Sequence, residues 1–202
     1  MSAAGVPGAP DEPLDVVDVL LADHRTVDLL FDQLLEGTAT ASERRRDVAD
    51  VLVAELMRHS AAEEQYVYPA ARRYLPGGDA LADRELQEHN RAEELMDQLM
   101  DTDADDPRFA PLVVQLAREI RAHVRHEEGD LFPRLRAAVD RGTLVRLATE
   151  VMAAKKLAPT RPHPTGPHHP PMNRIAAPVL GLFDRAADSL TDRPTTVDEL
   201  DE

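Results

Sequence analysis

The sequence predicts an all-α protein whose main part is a four-helix bundle. Aromatic residues make up only 3% of the chain and apolar residues 43%, so aliphatic side chains and alanine, most of them compatible with helices, must supply the core. Apolar residues also recur at helical spacing in four long segments. Finally, residues 88–101 repeat the pattern of residues 23–36, and residues 123–133 repeat that of residues 59–69. Two repeated helical hairpins therefore predict an up-down-up-down bundle.

Helix-start and helix-stop signals set the order of the elements. Gly37 ends the first helix, and Asp79 is the predicted cap of the third. Pro69 and Pro133 fall near the ends of the second and fourth helices, where each must kink the helix or begin a new one. The bundle helices are predicted at residues 14–36, 42–73, 80–101 and 107–139, followed by a shorter fifth helix at 142–156.

Composition divides the chain into three parts. Residues 1–13 form a flexible arm rich in proline and glycine, and residues 14–156 form the bundle with its extra helix. Residues 157–202 form a tail rich in proline and histidine, with a short amphipathic helix at 178–190 for which the sequence leaves two docking surfaces open, the bundle or a partner. The tail histidines are interpreted as solvated linker residues, because the prolines around them oppose a compact site: His163, His168 and His169.

Charge and cysteine content exclude several classes of function. The formal net charge of −15 disfavours nucleic acid and anionic membrane surfaces as partners. No apolar stretch approaches the length of a membrane span, and the amino terminus lacks a basic start followed by an apolar run, so a cytoplasmic location is expected. Because the chain contains no cysteine, histidine and carboxylates are the only strong metal ligands available.

Four histidines share one local pattern. Each follows an apolar residue by three positions and precedes a carboxylate by four, so on a helix each His and its carboxylate are predicted to face the core. The four pairs are His24 with Asp28, His59 with Glu63, His89 with Glu93, and His123 with Glu127. Burying so many ionisable groups without partners would cost several kcal/mol each, comparable in sum with the net stability of a domain. A metal centre would compensate them; histidines held by neighbouring carboxylates in a purely structural role are the alternative.

Imidazole and carboxylate donors together suit iron or manganese, and this many ligands fit two metal ions better than one tetrahedral site. Glu63 and Glu127 are the predicted bridging carboxylates. Asp28 and Glu93 are additional ligand candidates, with orientation of an imidazole from outside the ligand set as their alternative role. Tyr66 lies one turn beyond Glu63; packing with a hydrogen-bonded hydroxyl is its favoured role, and metal ligation as a phenolate is the alternative. The neighbours of the two motifs are interpreted as boundary or solvated groups: Glu64, His126 and Glu128.

The segments HSAAE at 59–63 and HVRHE at 123–127, together with His24 and His89, resemble the H, HxxxE, H, HxxxE pattern of hemerythrin-like (HHE cation-binding) domains over about residues 14–156. The resemblance implies a non-haem di-iron centre, with iron favoured over manganese. It also implies that His24 and His59 bind one iron, that His89 and His123 bind the other, and that Glu63 and Glu127 lie between them.

Two departures from oxygen-carrying hemerythrin shape the functional prediction. Glu93 replaces the second histidine of an HxxxH motif, and Glu128 stands where that family has an aspartate ligand. A site richer in carboxylate favours ferric iron and redox turnover over reversible O2 carriage. The predicted function is therefore reaction with peroxide, O2 or nitric oxide in oxidative or nitrosative stress defence; the alternative is an iron- or oxygen-sensing or storage module without turnover.

Overall fold

The structure, a computed structural model, describes residues 13–36, 41–163 and 172–200. Gly37, His168, His169 and all of the predicted amino-terminal arm except Pro13 lie outside these residues. The described residues are largely helical and contain no strand, which confirms the all-α class. No helix among them is long and apolar enough to cross a membrane.

Eight α-helices account for most of the described chain. Two short π-turns, Glu63–Val67 and Glu127–Leu131, connect α2 to α3 and α5 to α6 without a break in the helical path. A single 3-10 turn, Asp198–Leu200, follows α8 near the end of the described chain. The helices are α1 (Val16–Leu35), α2 (Ser42–Ala62), α3 (Tyr68–Tyr74), α4 (Gly78–Met100), α5 (Phe109–His126), α6 (Phe132–Ala138), α7 (Arg141–Leu157) and α8 (Met172–Leu190).

The starts of α1 and α4 use different devices. Asp15 caps α1 by accepting a hydrogen bond from the Asp18 backbone N–H, while the Asp18 side chain accepts one from the Asp15 N–H. This reciprocal pair satisfies two donors that a helix start leaves free. The predicted Asp79 cap is wrong: Gly77 precedes α4 in the left-handed conformation at φ 73°, and no side chain caps the helix. A residue without a Cβ meets that backbone requirement most easily.

The π-turns account for the two prolines. In each turn the backbone N–H five residues after a glutamate bonds to its carbonyl, joining Tyr68 to Glu63 and Phe132 to Glu127. Pro69 and Pro133 then stand in the first turn of α3 and α6, where proline is tolerated because the first turn needs fewer N–H donors. Each π-turn also shifts the helical register by one residue, which changes the side chains that face the core beyond it.

Two apolar clusters fill the bundle, and a polar layer separates them. The first cluster includes Leu30, Leu52, Leu99 and Leu116. The second includes residues from the opposite ends of the same helices and from α3, α6 and α7, among them Leu20, Ala82, Leu131 and Leu144. Along α1 and α4 the chain passes from the second cluster to the first, and along α2 and α5 it returns. The four histidines of the repeated motif all lie at this crossing.

The carboxyl-terminal part of the chain packs on the bundle. Helix α7 contacts α1 and α2, and α8 contacts α7 and the first π-turn. Helix α8 begins earlier than the short helix anticipated at 178–190 and ends at the same residue. Gly181 lies so close to the end of α7 that a Cβ there would come within 2.3 Å of the Leu157 carbonyl oxygen. This contact shows that α8 is fitted closely to its neighbour.

Candidate metal centre

The polar layer brings four histidines and two glutamates together at the centre of the bundle. The Nε2 atoms of His59 and His89 lie 3.1 Å and 3.4 Å from Glu63 Oε2. Those of His24 and His123 each lie 3.4 Å from Glu127 Oε2. Both glutamate side chains are fully buried, and each contacts one histidine from each hairpin. Glu63 and Glu127 therefore occupy the positions expected of shared ligands.

Ligand atoms converge in two groups that share a glutamate. One ligand atom from each of His24, His59, Glu63 and Glu127 lies within 4.8 Å of the other three, and the same holds for Glu63, His89 and His123. A third, overlapping group contains Glu85, His123 and Glu127. These overlapping His/Glu groups could hold metal ions.

Each histidine is oriented by a carboxylate on its outer nitrogen. Nδ1 of His59 lies 3.2 Å from Asp23, and Nδ1 of His123 lies 3.1 Å from Glu88. Across the hairpins, Nδ1 of His24 lies 2.9 Å from Glu128, and Nδ1 of His89 lies 3.1 Å from Glu64. A carboxylate at Nδ1 fixes the proton there and leaves Nε2 as the free donor atom facing the cluster. The arrangement is the one that metal-binding histidines use.

Three of these orienting residues change the interpretation made from sequence. Glu64 is buried, whereas the side chain of Glu128 is 42% exposed, and each contacts Nδ1 of a histidine of the opposite hairpin. Asp23 was not identified as a candidate, because it precedes His24 in sequence and serves His59 on the neighbouring helix. His126, by contrast, is 50% exposed as predicted for a boundary group.

Tyr68, and not Tyr66, is the tyrosine at the cluster. Its hydroxyl lies 2.9 Å from His89 Nε2, 3.3 Å from Glu63 Oε2 and 3.2 Å from Glu127 Oε1. In a regular α-helix the residue three or four positions after Glu63 would face the core. The π-turn instead places the residue five positions after it, Tyr68, on that face. At the equivalent place in the second hairpin, Phe132 stacks on His24 with ring centroids 5.5 Å apart. The two halves of the centre thus differ in one hydroxyl group.

Glu85 is a second difference between the halves. Its side chain is fully buried, receives a 2.5 Å hydrogen bond from Arg84, and places Oε2 3.0 Å from Nδ1 of His123. The residue at the same repeat position in the first hairpin is Leu20. Of the four histidines, His123 therefore has two carboxylates near Nδ1 where the others have one, so its Nδ1 environment is the most negative.

The pKa directions reflect this concentration of carboxylates. Burial opposes the charged form of His59, but Glu63 and Asp23 outweigh it and raise the pKa of His59 to about 10. Burial likewise disfavours charge on Glu63, whereas His59 and His89 bring its pKa well below the usual range. Burial and the charge of Glu127 raise the pKa of Tyr68, so its hydroxyl stays protonated at neutral pH. The cluster therefore attracts cations strongly, and protons and metal ions would compete for its nitrogen and oxygen atoms.

Unpartnered atoms provide a further test of the fit to metal. Nε2 of His24, Oε1 of Glu63 and Oε2 of Glu127 are buried and lack a hydrogen-bond partner among the described residues. An acceptor buried without a partner costs roughly 1–3 kcal/mol, and more if charged. All three residues belong to the convergent groups, and Nε2 of His24 lies 3.4 Å from Oε2 of Glu127. Nitrogen and oxygen donors without sulfur suit iron or manganese.

The two additional ligand candidates lie elsewhere. The prediction that Asp28 faces the core is wrong: its side chain is 58% exposed and bonds to Arg121 at 2.7 Å. The short aspartate side chain on the edge of α1 reaches this cation on α5 more easily than it reaches the interior. Glu93 is buried but belongs to none of the convergent groups, and it accepts a 2.6 Å hydrogen bond from the backbone N–H of His163.

Sequence comparison agrees with this geometry. The profile of the Hemerythrin HHE cation binding domain matches residues 15–135, which contain all the convergent histidines and glutamates. The chain belongs to this hemerythrin HHE family. Helices α7 and α8 lie beyond the match. An HHE domain with His/Glu groups of this kind supports metal binding by the chain.

Relatives extend the family assignment over most of the chain. The hemerythrin-like chain is 28% identical over 182 residues to an uncharacterized hemerythrin-like protein of Schizosaccharomyces pombe, covering 88% of this chain and 85% of that one. It is also 29% identical over 156 residues to a DNA nickase of Nostoc sp., covering 77% of this chain but only 43% of the nickase. The crystal structure of a hemerythrin HHE cation binding domain-containing protein from Mycobacterium kansasii shares the fold, with a TM-score of 0.61 at 22% identity over 71% of this chain and 86% of that one.

Proposed function

We propose that the chain is a non-haem di-iron protein that reacts with a small oxidant, with hydrogen peroxide as the first substrate to test and O2 or nitric oxide next. His24 and His59 would hold one iron, His89 and His123 the other, and Glu63 and Glu127 would lie between them. The observation that carries the proposal is the set of Nδ1 contacts, because all four histidines are held with Nε2 toward one cluster.

When bound, the iron ions would supply electron transfer and polarisation of a small oxygen or nitrogen species. The residues of the chain perform separate tasks around them. Asp23, Glu64, Glu88 and Glu128 keep a proton on each Nδ1 and so fix the direction of each imidazole. Tyr68 keeps its proton and offers a hydroxyl between Glu63 and Glu127. Phe132 covers His24 with an apolar ring and excludes water from that side.

Elemental analysis of the purified, untagged protein produced with iron tests the metal part of the proposal. We expect two irons per chain and a sharp loss in His59→Ala and His123→Ala, whereas His126→Ala retains both irons because that ring is half-exposed outside the cluster. Little or no metal in a folded parent chain would overturn the di-iron assignment and leave the histidines with a structural role.

Oxygen release from hydrogen peroxide tests the reaction. We expect sustained conversion of two H2O2 to two H2O and one O2, abolished in the same two alanine variants and kept in His126→Ala. A rate no greater than that of the same concentration of free iron would refute turnover while leaving metal binding intact.

An iron- or oxygen-sensing module without turnover is the second candidate. The contact between Glu93 and the backbone of His163 favours it, because this contact links the carboxyl-terminal part of the chain to the helix that carries His89. Metal binding to the folded chain adds to its stability. Limited proteolysis after residue 157 that is the same with and without iron would argue against a switch. In either role, a cytoplasmic location and the absence of nucleic-acid and membrane partners stay predictions.

A further inference from the structure

The repeat that builds the bundle also builds two equivalent grooves beside the cluster. One groove lies between α2 and α4 next to His89, and the other lies between α1 and α5 next to His24. Met57, Ser60 and Ala61 line the first; Arg121, Val124 and Arg125 line the second at the same places in the repeat. The backbone therefore offers two ways to approach the cluster from outside.

The groove between α1 and α5 is open. It has a volume of about 330 Å³ and reaches His24 and Glu128. Arg25 and Arg125 are exposed at its rim, and Asp28 is exposed at the position that corresponds to Glu93. Arg121 and Glu128 also line the groove, so its charge is mixed and strongly repels neither a metal cation nor a small anion.

The groove between α2 and α4 is covered. Pro159 and His163 from the segment after α7, with Ala177 and Leu180 of α8, close it and leave a cavity of about 50 Å³, enough for a few water molecules. Glu93 is only 6% exposed there, whereas Asp28 at the same repeat position is 58% exposed in its side chain. The apolar Met57 replaces Arg121 on the covered side, so the groove itself is built to be covered.

Several polar contacts hold this cover in place. Asp184 of α8 accepts hydrogen bonds from the backbone N–H groups of Thr160 and Arg161 at 3.0 Å and 3.1 Å. Asp188 bonds to the Thr160 hydroxyl and to Arg193, and Arg193 in turn donates to the Asp50 carbonyl of α2. Glu93 fixes the backbone of the segment directly over the groove. These contacts join the segment after α7 to α8 and join both to the bundle.

We propose that residues 158–163 and α8 form a cap that closes one of two equivalent approaches to the cluster, so that the groove between α1 and α5 is the entrance for the metal and its small ligand. The entrance rests on the proposed metal-binding function, but the cap does not. The cap lies outside the matched HHE region, residues 15–135. It would make this chain's centre reachable from the His24 side alone.

Single cysteines test the cap without any metal, because the natural chain contains none. Ser60→Cys places a thiol in the covered groove, and Val124→Cys places one at the same repeat position in the open groove. Both full-length proteins are treated with iodoacetamide, and we expect Ser60→Cys to react at least about tenfold more slowly, as for a site that needs local opening. Equal rates would overturn the cap.

Displacing the cap provides the second half of this test. Adding Gly181→Val to Ser60→Cys should raise the reaction rate about tenfold, because a side chain at position 181 collides with the Leu157 carbonyl. Ala186→Val, on an exposed face of the same helix, is the matched control and should leave the rate unchanged. Asp184→Ala, which removes the bonds to Thr160 and Arg161, is a second way to release the cap. If neither Gly181→Val nor Asp184→Ala raises the rate of thiol reaction, the proposal is overturned.

Uptake of Fe²⁺ by the metal-free full-length chain tests the entrance. Val124→Trp should slow uptake with the same final iron content, and Gly181→Val should speed it by opening the second approach. Uptake that is unaffected by Val124→Trp overturns the assignment of the entrance. A chain that takes up no iron at all overturns the proposed function instead, and the cysteine rates still decide the cap.

Discussion

Replacing Asp23 with asparagine tests whether carboxylates outside the cluster set its metal affinity. Asp23 lies 3.2 Å from Nδ1 of His59 and also bonds to Lys155, and its side chain is 14% exposed. Asparagine keeps the shape but removes the charge that favours a proton on Nδ1. Loss of such an orienting group costs roughly 10–100-fold in metal affinity, or about 1.4–2.7 kcal/mol. Competition titration of iron against a chelator of known affinity measures this change.

Two controls separate orientation from general destabilisation. Asp28→Asn alters a carboxylate on the same helix that bonds to Arg121 away from the cluster, and its affinity should stay within about twofold of the parent. Lys155→Gln removes the ion pair with Asp23 and leaves the contact with His59. An Asp23→Asn protein that binds iron as tightly as the parent, or a loss of equal size in Asp28→Asn, would refute the role assigned to Asp23.

Three further predictions concern stability, each measured by urea unfolding with a chelator present. Tyr68→Phe should lower the free energy of unfolding by about 1–3 kcal/mol, because the buried carboxylates of Glu63 and Glu127 lose the single O–H donor that they share. Tyr74→Phe, on a partly exposed ring, should change it by less than about 0.5 kcal/mol, and equal effects would contradict this. Leu52→Ala should cost about 2–5 kcal/mol at a fully buried site, and a cost below 1 kcal/mol (about the loss of one methylene) would mean that the first apolar cluster is poorly packed. Asp15→Ala should cost about 1–2 kcal/mol at pH 7 through loss of the α1 cap. Burial opposes the charge on Asp15, but Arg136 lowers the pKa of this carboxyl below 3.8. The loss of stability in Asp15→Ala should therefore be complete above pH 3.8 and should diminish as pH falls through the folded-state pKa. A loss independent of pH would mean that the carboxylate charge does not contribute.

Much of the fold and the cluster could be predicted because both follow from helical periodicity. The spacing of His59 and Glu63 places both on one face of a helix, and the repeat places His123 and Glu127 on another. The structure places these side chains in overlapping groups at the centre of the bundle. Periodicity within one helix is local information, and the sequence contains it directly.

The contacts that were missed are those between helices. Asp23 serves a histidine of α2, and Glu128 serves one of α1, so no spacing along a single helix reveals either pair. Tyr68 was missed for another reason, since helical spacing pointed to Tyr66 and the π-turn moved the register by one residue. The proline directly after Tyr68, repeated after Phe132, was the available signal of that irregularity.

Proline content predicts a solvated linker at the three tail histidines, of which His163 alone lies among the described residues. His163 lies instead against the bundle, with its backbone bonded to Glu93 and its ring to Asp184. The docking depends on the small size of Gly181 and on carboxylates of α8 that accept bonds from the preceding segment. Nothing in the periodicity of α8 specifies which surface it covers.

The exchange of orienting carboxylates between hairpins has a consequence for assembly. Glu64 of the first hairpin serves His89 of the second, and Glu128 of the second serves His24 of the first. Neither hairpin by itself supplies a carboxylate to Nδ1 of both of its histidines. A two-fold pair of identical first hairpins would supply them all, because Glu64 of one copy would lie beside His24 of the other. The single chain thus has the approximate two-fold symmetry of such a pair at its histidines, and the symmetry is broken at Tyr68 and Phe132.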